Sequence, residues 1–506
     1  MPRFCTNFLG NRFPLSCSGI VAAGILLLPG CADLRRSSVD EPLTSPLEGS
    51  LPRYWGDDST TRPLPASGWL ADFQSPDLER LAKTALEANP SLRAAAARVA
   101  AARARSGISS SGLLPRIGAT GSGSESQRVL GAQQSNVLTQ SYALGWDTSW
   151  ELDLWGRLRD ERDSSLAELD GAHEDYRAAR LSLVASVAKS ALDLLELEKQ
   201  TQLSRRNVER LQLSLAIIDD NLERGLDNTG RLGLDFSLAR ADLARGEATL
   251  QQRERQIESA RRSLETLLGE YPDGDASPLE DFPRMTRKVP AGLPAELLLR
   301  RPDLLAAERR ADASGLDVLA ARKALLPSLS LTGSRGQSTT DFGRLLDGSS
   351  LVWSIGTRIS QQIFAGGQLV SGIRLAEAQQ QEIAARYADA ALLAFRQVET
   401  GLAIEPLIAR QLELLEQASK ESALAADLAR SSYEQGLADI LTVLESQRRA
   451  VDAESALLAL RNLQLQTRID LHLALGGGFD DAPEPVRYVR PQTRARHPQL
   501  PGRRSL

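Results

Sequence analysis

The stretch Ser141–Arg159 changes hydrophobic period partway along, and this constrains the fold more than anything else in the chain. Tyr142, Leu144, Trp146, Thr148, Trp150, Leu152 and Leu154 alternate with Ser141, Ala143, Gly145, Asp147, Ser149, Glu151 and Asp153, the pattern of a strand with one apolar and one polar face. At Gly156 the alternation stops, and a charged run with seven-residue spacing continues to about Leu222. The switch recurs about 210 residues later. There Leu351, Trp353, Ile355, Thr357, Ile359 and Ile363 alternate with Val352, Ser354, Gly356, Arg358, Ser360 and Gln362 before Gly366 and Gly367 open another long helix.

The second switch belongs to an internal repeat. Asn89-Pro90 and Arg301-Pro302 lie 212 residues apart, as do LLPRIGATGSGS (113–124) and LLPSLSLTGSRG (325–336); Gly225 and Gly436 are 211 apart, and Gly269 and Gly476 are 207 apart. Near-constant offsets of this kind signal a duplication, with repeat 1 over residues 68–280 and repeat 2 over 281–479. Each repeat reads helix, helix, strand, strand, long helix, helix. The expected strands are 113–126 and 141–154, then 325–338 and 350–364, joined by polar loops at 127–140 and 339–349. The expected long helices are 156–224 and 367–435, each roughly 100 Å long at ~1.5 Å per residue. Leu169, Tyr176, Leu183, Leu197, Leu211 and Ile218 share one heptad position of the first, and Leu166, Val187, Leu194, Val208, Leu215 and Leu222 another, which together predict a coiled-coil seam. The returning helices, 234–268 and 439–475, are half as long, and the helices at 91–113 and 303–325 can supply the missing length by stacking end to end with them.

At the N-terminus, Arg3 and Arg12 precede an apolar run from Leu15 to Leu28 that ends in Leu28-Pro29-Gly30-Cys31, resembling a lipoprotein signal peptide over 1–30. An ordinary secretory signal with a chance cysteine is the alternative. Cys5 and Cys17 would leave with the signal, so Cys31 would be the only remaining thiol and would carry lipid. Ala32 follows it, which by analogy implies sorting to the outer membrane. Residues 31–67 read as an extended linker, and 480–506 as a disordered basic tail. After Cys31 no segment approaches the eighteen or so apolar residues of a membrane-spanning helix, so any crossing falls to strands.

In lipid a backbone must satisfy its own hydrogen bonds, so four strands in an open sheet require neighbours, and the chain is expected to oligomerise. The periodicity puts Trp146, Trp150, Leu152, Trp353, Ile355 and Ile359 toward lipid, and Asp147, Ser149, Glu151, Ser354 and Arg358 toward a lumen. Two copies would suffice for the smallest closed barrels, and periodicity alone does not choose between two and three.

WLADFQSPDLERLAKTALEANPSL, SWELDLWGRLR, GLPAELLLRRPDLLAAERRADA, IFAGGQLVSG and LHLALGGGF resemble the recurring motifs of the TolC-like outer-membrane efflux channels, most closely the NodT-type lipoprotein branch. The resemblance covers about residues 68–479. It implies an α+β membrane protein: a homotrimer with a twelve-stranded transmembrane β-barrel, four strands per chain, continued by an α-helical coiled-coil tunnel in the periplasm. It further implies docking onto a periplasmic adaptor and an inner-membrane pump, with no reaction catalysed. By the same resemblance the adaptor-docking tip matches Gly225, Leu226, Gly436 and Leu437, with Arg224 and Gln435 where the family has valine; helix capping by the glycines is the alternative. Glu445 aligns with a gate acid, Thr442 stands where another would be, and Asp439 and Asp235 are weaker candidates.

The net charge of −5 gives no reason to expect a nucleic-acid partner. No P-loop, GxGxxG, HExxH, CxxC or GxSxG motif occurs; His173 and His472 read as structural, and no His or Cys cluster suggests a metal. A type I protein secretion outlet or a periplasmic coiled-coil scaffold remains as an alternative. The lipid-facing strands argue against the scaffold, and the NodT-like motifs favour efflux of small molecules or drugs.

Overall fold

The structure is a computed structural model that describes residues 68–130, 135–224, 232–277, 279–285, 300–435 and 437–477. The expected signal peptide, Cys31, the linker, the C-terminal tail, Gly225, Leu226 and Gly436 lie outside the described residues. After a short 3-10 turn at Trp69–Phe73, the helices and strands run α1 (Pro76–Ala88), α2 (Pro90–Ser111), β1 (Arg116–Leu130), β2 (Ser135–Leu152), α3 (Arg157–Glu223) and α4 (Leu232–Leu268). The second half follows the same order from its first described helix: α5 (Pro302–Lys323), β3 (Ser328–Thr339), β4 (Leu351–Ser360), α6 (Gln368–Glu434) and α7 (Ile440–Ala474).

α3 and α6 each have 67 residues, about 100 Å of rod at ~1.5 Å per residue. Their return partners are composite. α4 ends where α2 begins, and a Cβ placed on Gly269 would lie 2.7 Å from the Ala88 carbonyl oxygen. Asn89 joins the two helices: its side-chain oxygen caps α2 by accepting from Ser91 N (2.8 Å) and Leu92 N (3.1 Å), while its amide nitrogen donates to Leu267 O at 2.8 Å. In the second half α7 meets α5 in the same way, but Arg301 makes the joint. Its guanidinium donates to Ala474 O (3.3 Å), to Gln397 Oε1 (2.7 Å) and to Asp303 (2.6 Å). Gly269 and Gly476, with φ of 79° and 85°, turn the chain at the two helix ends, a conformation that strains residues with a Cβ.

The four resulting rods lie side by side. α3 packs against α2 and α4 on one side and against α5 and α7 on the other, and α5 and α7 pack in turn against α6. The order is therefore α2 with α4, then α3, then α5 with α7, then α6. The sheet has the matching order β1-β2-β3-β4, antiparallel throughout. Each strand continues the rod beside it in sequence, so a wall of strands leads into a wall of helices, and both walls are open at their edges.

α3 has neighbours on two sides, which changes its buried surface from the heptad expectation. Val184, Ala185, Val187, Ala188, Ala191, Leu192, Leu194 and Leu195 are all buried, a band wider than one seam, whereas Leu166 and Leu222 are each 41% exposed. The band lies under the N-terminal segment, where Trp69, Phe73, Leu78 and Ala85 join Ile257, Leu264, Leu465 and Ile469 in the largest core. His472 is buried in the same region, its ring 5.6 Å from that of Trp69 and 6.3 Å from that of Phe73. Burial pushes its pKa down to about 4, Arg468 adds to the depression, and Asp72, with an oxygen 3.3 Å from Nε2, opposes it.

The strand bounds differ from expectation in two respects. The stretch 127–140, expected as a loop, is strand up to Leu130 and again from Ser135. Each strand also begins or ends inside the expected span: β1 starts at Arg116, β3 at Ser328, and β4 stops at Ser360. The connection between β3 and β4 is irregular, with short 3-10 turns at Phe342–Arg344 and Gly348–Ser350.

Candidate conducting sheet and helical tip

The registers of the three strand pairs assign every side chain to one of two faces, because successive residues of a strand point to opposite sides. Trp146 pairs with Ala119 and Arg335, and Arg335 with Trp353. Leu144 pairs with Gln337, and Gln337 with Leu351; Trp150 pairs with Leu331, and Leu331 with Thr357; Leu152 pairs with Leu329, and Leu329 with Ile359. One face thus carries all six residues expected to be apolar and outward: Trp146, Trp150, Leu152, Trp353, Ile355 and Ile359. Trp146 (65%), Trp353 (71%), Ile355 (82%) and Ile359 (73%) are exposed in the single chain. Trp150 and Leu152 are half-buried at the inner end, where Trp150 Nε1 donates to Leu113 O at 3.0 Å.

Alongside these rows, apart from Val352 on β4, the opposite face is small or polar: Gly118, Thr120 and Ser122 on β1, Asp147, Ser149 and Glu151 on β2, Ser330, Thr332 and Ser334 on β3, and Ser354, Gly356 and Arg358 on β4. Ser334 and Ser354 hydroxyls hydrogen-bond across the strands at 2.8 Å. Gly145 and Gly336 oppose each other directly, so closely that a Cβ on Gly336 would lie 2.5 Å from Leu144 O.

Where β2 passes into α3, the sequence switch takes a definite form. Gly156 adopts φ 79°, and the Asp153 carboxylate accepts from the first-turn amides Leu158 N (3.0 Å) and Arg159 N (3.1 Å). Asp153, read from the alternation as a strand residue, lies past the end of β2 and caps the helix. Glu151 is ion-paired with Arg157 at 2.7 Å, so it anchors the turn while standing on the polar face. Lys323, at the end of α5, reaches Asp160 and ties the two middle rods together.

At the far end, α6 stops at Glu434, and Leu437 N donates to Ser432 O at 2.8 Å, the six-to-one bond of a Schellman turn. Leu437 itself is 77% exposed at the tip. Asp439 caps α7, its carboxylate accepting from Thr442 N (2.8 Å) and Thr442 Oγ1 (2.6 Å). Glu445 is paired one turn on with Arg448 (2.7 Å) and Arg449 (2.8 Å), and the hydrogen bonds from these two guanidinium groups hold its carboxyl below the usual range. Asp439, Thr442, Glu445 and Arg449 line an open groove of about 610 Å³ with Glu421 and Ala425 of α6. Asp235 lies in the first turn of α4, half-buried, and is not among the groove residues. Among the described residues no group of three or more His, Cys, Asp or Glu could hold a metal ion, and no helix is long and apolar enough to cross a membrane.

The outer membrane efflux protein family model matches residues 81–270 and 293–477, one match in each half of the chain. The chain belongs to the outer membrane efflux protein family. Among its relatives is the pyoverdine export outer membrane protein OpmQ of Pseudomonas putida, 32% identical over 91% of this chain and 98% of that protein. Outer membrane protein OprJ of Pseudomonas aeruginosa is 32% identical over 82% of this chain and 86% of its own length. Among solved structures, the outer-membrane channel OprN superposes with a TM-score of 0.76 at 30% identity, over 84% of this chain and 98% of that one. As an outer membrane efflux protein, the chain is the outer-membrane channel component of an efflux pump, set in the outer membrane and reaching into the periplasm.

Proposed function

We propose that three copies of this chain close into one conduit: a twelve-stranded barrel in the outer membrane that continues as a helical tunnel through the periplasm. The single observation that carries the reading is the sheet, apolar and exposed on one face, small and polar on the other, and open at β1 and β4. Closing that sheet with copies of itself satisfies the two free edges, which lipid cannot. It also turns Trp146, Trp150, Leu152, Trp353, Ile355 and Ile359 to lipid, and each large apolar side chain so removed from water contributes roughly 1.5–3 kcal/mol. The helical wall makes the same demand. α6, at one edge, exposes Leu375, Leu392, Leu407, Leu414, Leu424 and Leu428, which a neighbouring copy would cover.

The polar face then lines the pore, with Asp147, Ser149, Glu151, Ser354 and Arg358 in contact with the moving solute. The conduit does no chemistry. Solute is passed to it by an inner-membrane pump through a periplasmic adaptor that meets the tip at Gly225, Leu226, Gly436 and Leu437. Asp235, Asp439 and Glu445 set the charge of the closed end, and lipid on Cys31 fastens the N-terminus to the outer membrane. The halves of the chain arose by duplication, a reading supported by the two family matches and by the shared element order. The export role in the name of the relative OpmQ favours small molecules as cargo over secreted proteins.

The test is extraction of the full chain from outer membranes, followed by chemical cross-linking and heat-resistant electrophoresis. Three-copy assemblies that conduct ions in planar bilayers are expected. A water-soluble monomer, absent from the membrane fraction, would overturn the reading.

A further inference from the structure

One cation stands on the apolar face. Arg335 lies in the row Trp146–Arg335–Trp353, with a tryptophan directly opposite on the strand to either side, the backbones roughly 5 Å apart. The guanidinium is exposed, and among the described residues no carboxylate forms an ion pair with it. The one acid on the same face of β1 or β2 is Glu125, three rows further out, and it accepts a hydrogen bond from Gln140.

The height of the row decides what can pair with it. Below lie Thr148, Gly333 and Ile355, then Trp150, Leu331 and Thr357, then Leu152, Leu329 and Ile359, a strip without a charge. Six residues separate Trp353 from Ile359, about 20 Å along the strand and roughly 15 Å across the membrane at the usual barrel tilt. Trp155, whose Nε1 donates to Pro327 O at 2.7 Å, and the exposed Phe364 extend the apolar surface past that end toward the helices. The whole band then approaches the ~25 Å apolar height of outer-membrane barrels, with Trp155 and Phe364 at one margin and the Arg335 row near the other. Tyr142 and Phe342, in edge contact at 5.4 Å, mark the outer margin two rows beyond, past Leu144, Gln337 and Leu351, and a long arginine side chain can carry its guanidinium outward toward that level. A charge on the lipid face is costly at the midplane and tolerable near the interface, where it needs an anion. At this height, on this face, the available anion belongs to a lipid headgroup.

We propose that Arg335, framed by Trp146 and Trp353, is a binding site for the phosphate of an outer-leaflet lipid. The fork of N–H donors matches phosphate oxygens, and the two indoles pack against the carbons beneath the headgroup. The site rests on the reading that this face meets lipid, so its test must separate the two.

Full-length protein is reconstituted into nanodiscs of phosphatidylcholine doped with a small fraction of phosphatidic acid brominated in its acyl chains, and tryptophan quenching is recorded. Brominated phosphatidylcholine at the same fraction is the reference. In the native protein, brominated phosphatidic acid should quench as though enriched roughly tenfold over its share, the size expected for a charge-assisted contact. Arg335→Gln should return quenching to the share, Arg335→Lys should retain part of the enrichment, and Arg116→Gln, on the opposite face, should leave it intact. Excess inorganic phosphate should not displace the lipid; displacement would mark a site for free phosphate and overturn the proposal. Enrichment that survives in Arg335→Gln, or that is absent from the native protein, overturns it as well. If brominated phosphatidylcholine quenches none of the proteins, the sheet does not face lipid and the channel assembly itself fails.

Discussion

Replacing Asn89 tests whether the composite rods behave as continuous ones. Asn89 is 5% exposed at the joint of α4 and α2, accepting from Ser91 N and Leu92 N and donating to Leu267 O. Asn89→Ala removes the cap, worth about 1 kcal/mol. It also orphans a shielded carbonyl, which costs about 1–3 kcal/mol. The expected loss is therefore about 2–4 kcal/mol of local stability. Asn89→Asp separates the two contributions, since a carboxylate still accepts from Ser91 and Leu92 but cannot donate to Leu267. Amide hydrogen exchange reads each half directly. In Asn89→Ala, the Ser91 and Leu92 amides should exchange roughly thirtyfold faster at the lower figure. In Asn89→Asp they should stay protected, while guanidinium unfolding followed by far-UV circular dichroism still reports a loss of about 1–3 kcal/mol. The reasoning is refuted if Asn89→Ala unfolds within about 0.5 kcal/mol of the native protein, the scatter of ordinary surface substitutions. It is refuted equally if Asn89→Asp exposes Ser91 and Leu92 as fully as alanine does.

Three further outcomes follow from the same geometry. Gly336→Val places a side chain on the Leu144 carbonyl and the Gly145 Cα, so β2 and β3 should separate at a cost of about 1–3 kcal/mol or more, seen as loss of the protein from outer-membrane fractions; Gly333→Ala, whose nearest neighbour is 3.8 Å away, should be recovered normally. His472, whose pKa falls from 6.5 to about 4, binds its proton in the unfolded chain first, so stability is full above about pH 6.5 and declines as pH falls toward 4, by about 3 kcal/mol. His472→Phe should flatten that part of the pH profile of thermal unfolding, and an unchanged slope would assign the acid sensitivity elsewhere. Glu445→Gln combined with Asp439→Asn removes two negative charges from the groove and frees Arg449 of its carboxylate, leaving Arg448 only the longer contact to Asp452, so conductance in planar bilayers should shift toward anions, and unaltered ion selectivity would remove both acids from the pore.

How much of this could be read in advance depends on whether the determinant repeats along a segment or joins two segments. The apolar faces of β2 and β4 were legible because Trp146, Trp150, Trp353, Ile355 and Ile359 recur at every second or fourth residue, and a strand half-immersed in lipid must alternate in that way. The outer part of the β1–β2 hairpin was read as loop for a related reason. Gln127 and Arg128, just past the expected strand, are polar on both faces, which gives no alternation to detect, and only pairing with Leu138 and Val137 makes them strand. The heptads of α3 were visible but specified too little, since a periodic seam implies one neighbouring rod and α3 has two. The joints were the least legible. Asn89 and Arg301 stand at corresponding helix junctions in the two halves of the chain, yet one bridges its junction with an amide and the other with a guanidinium that reaches Gln397 of a different rod. Their only shared signal was the proline that follows each, which marks the start of a helix. Arg335 was more deeply hidden. In the run LTGSRGQ its nearest same-face neighbours are Gly333 and Gln337, which give no apolar alternation around it, and its position between two tryptophans exists only through the register of β3 with β2 and β4. Where the two halves of the chain share a pattern, the physics acts along one element and survives in the sequence; where the halves differ, as at these joints, the contact lies between elements and each half meets it with its own chemistry.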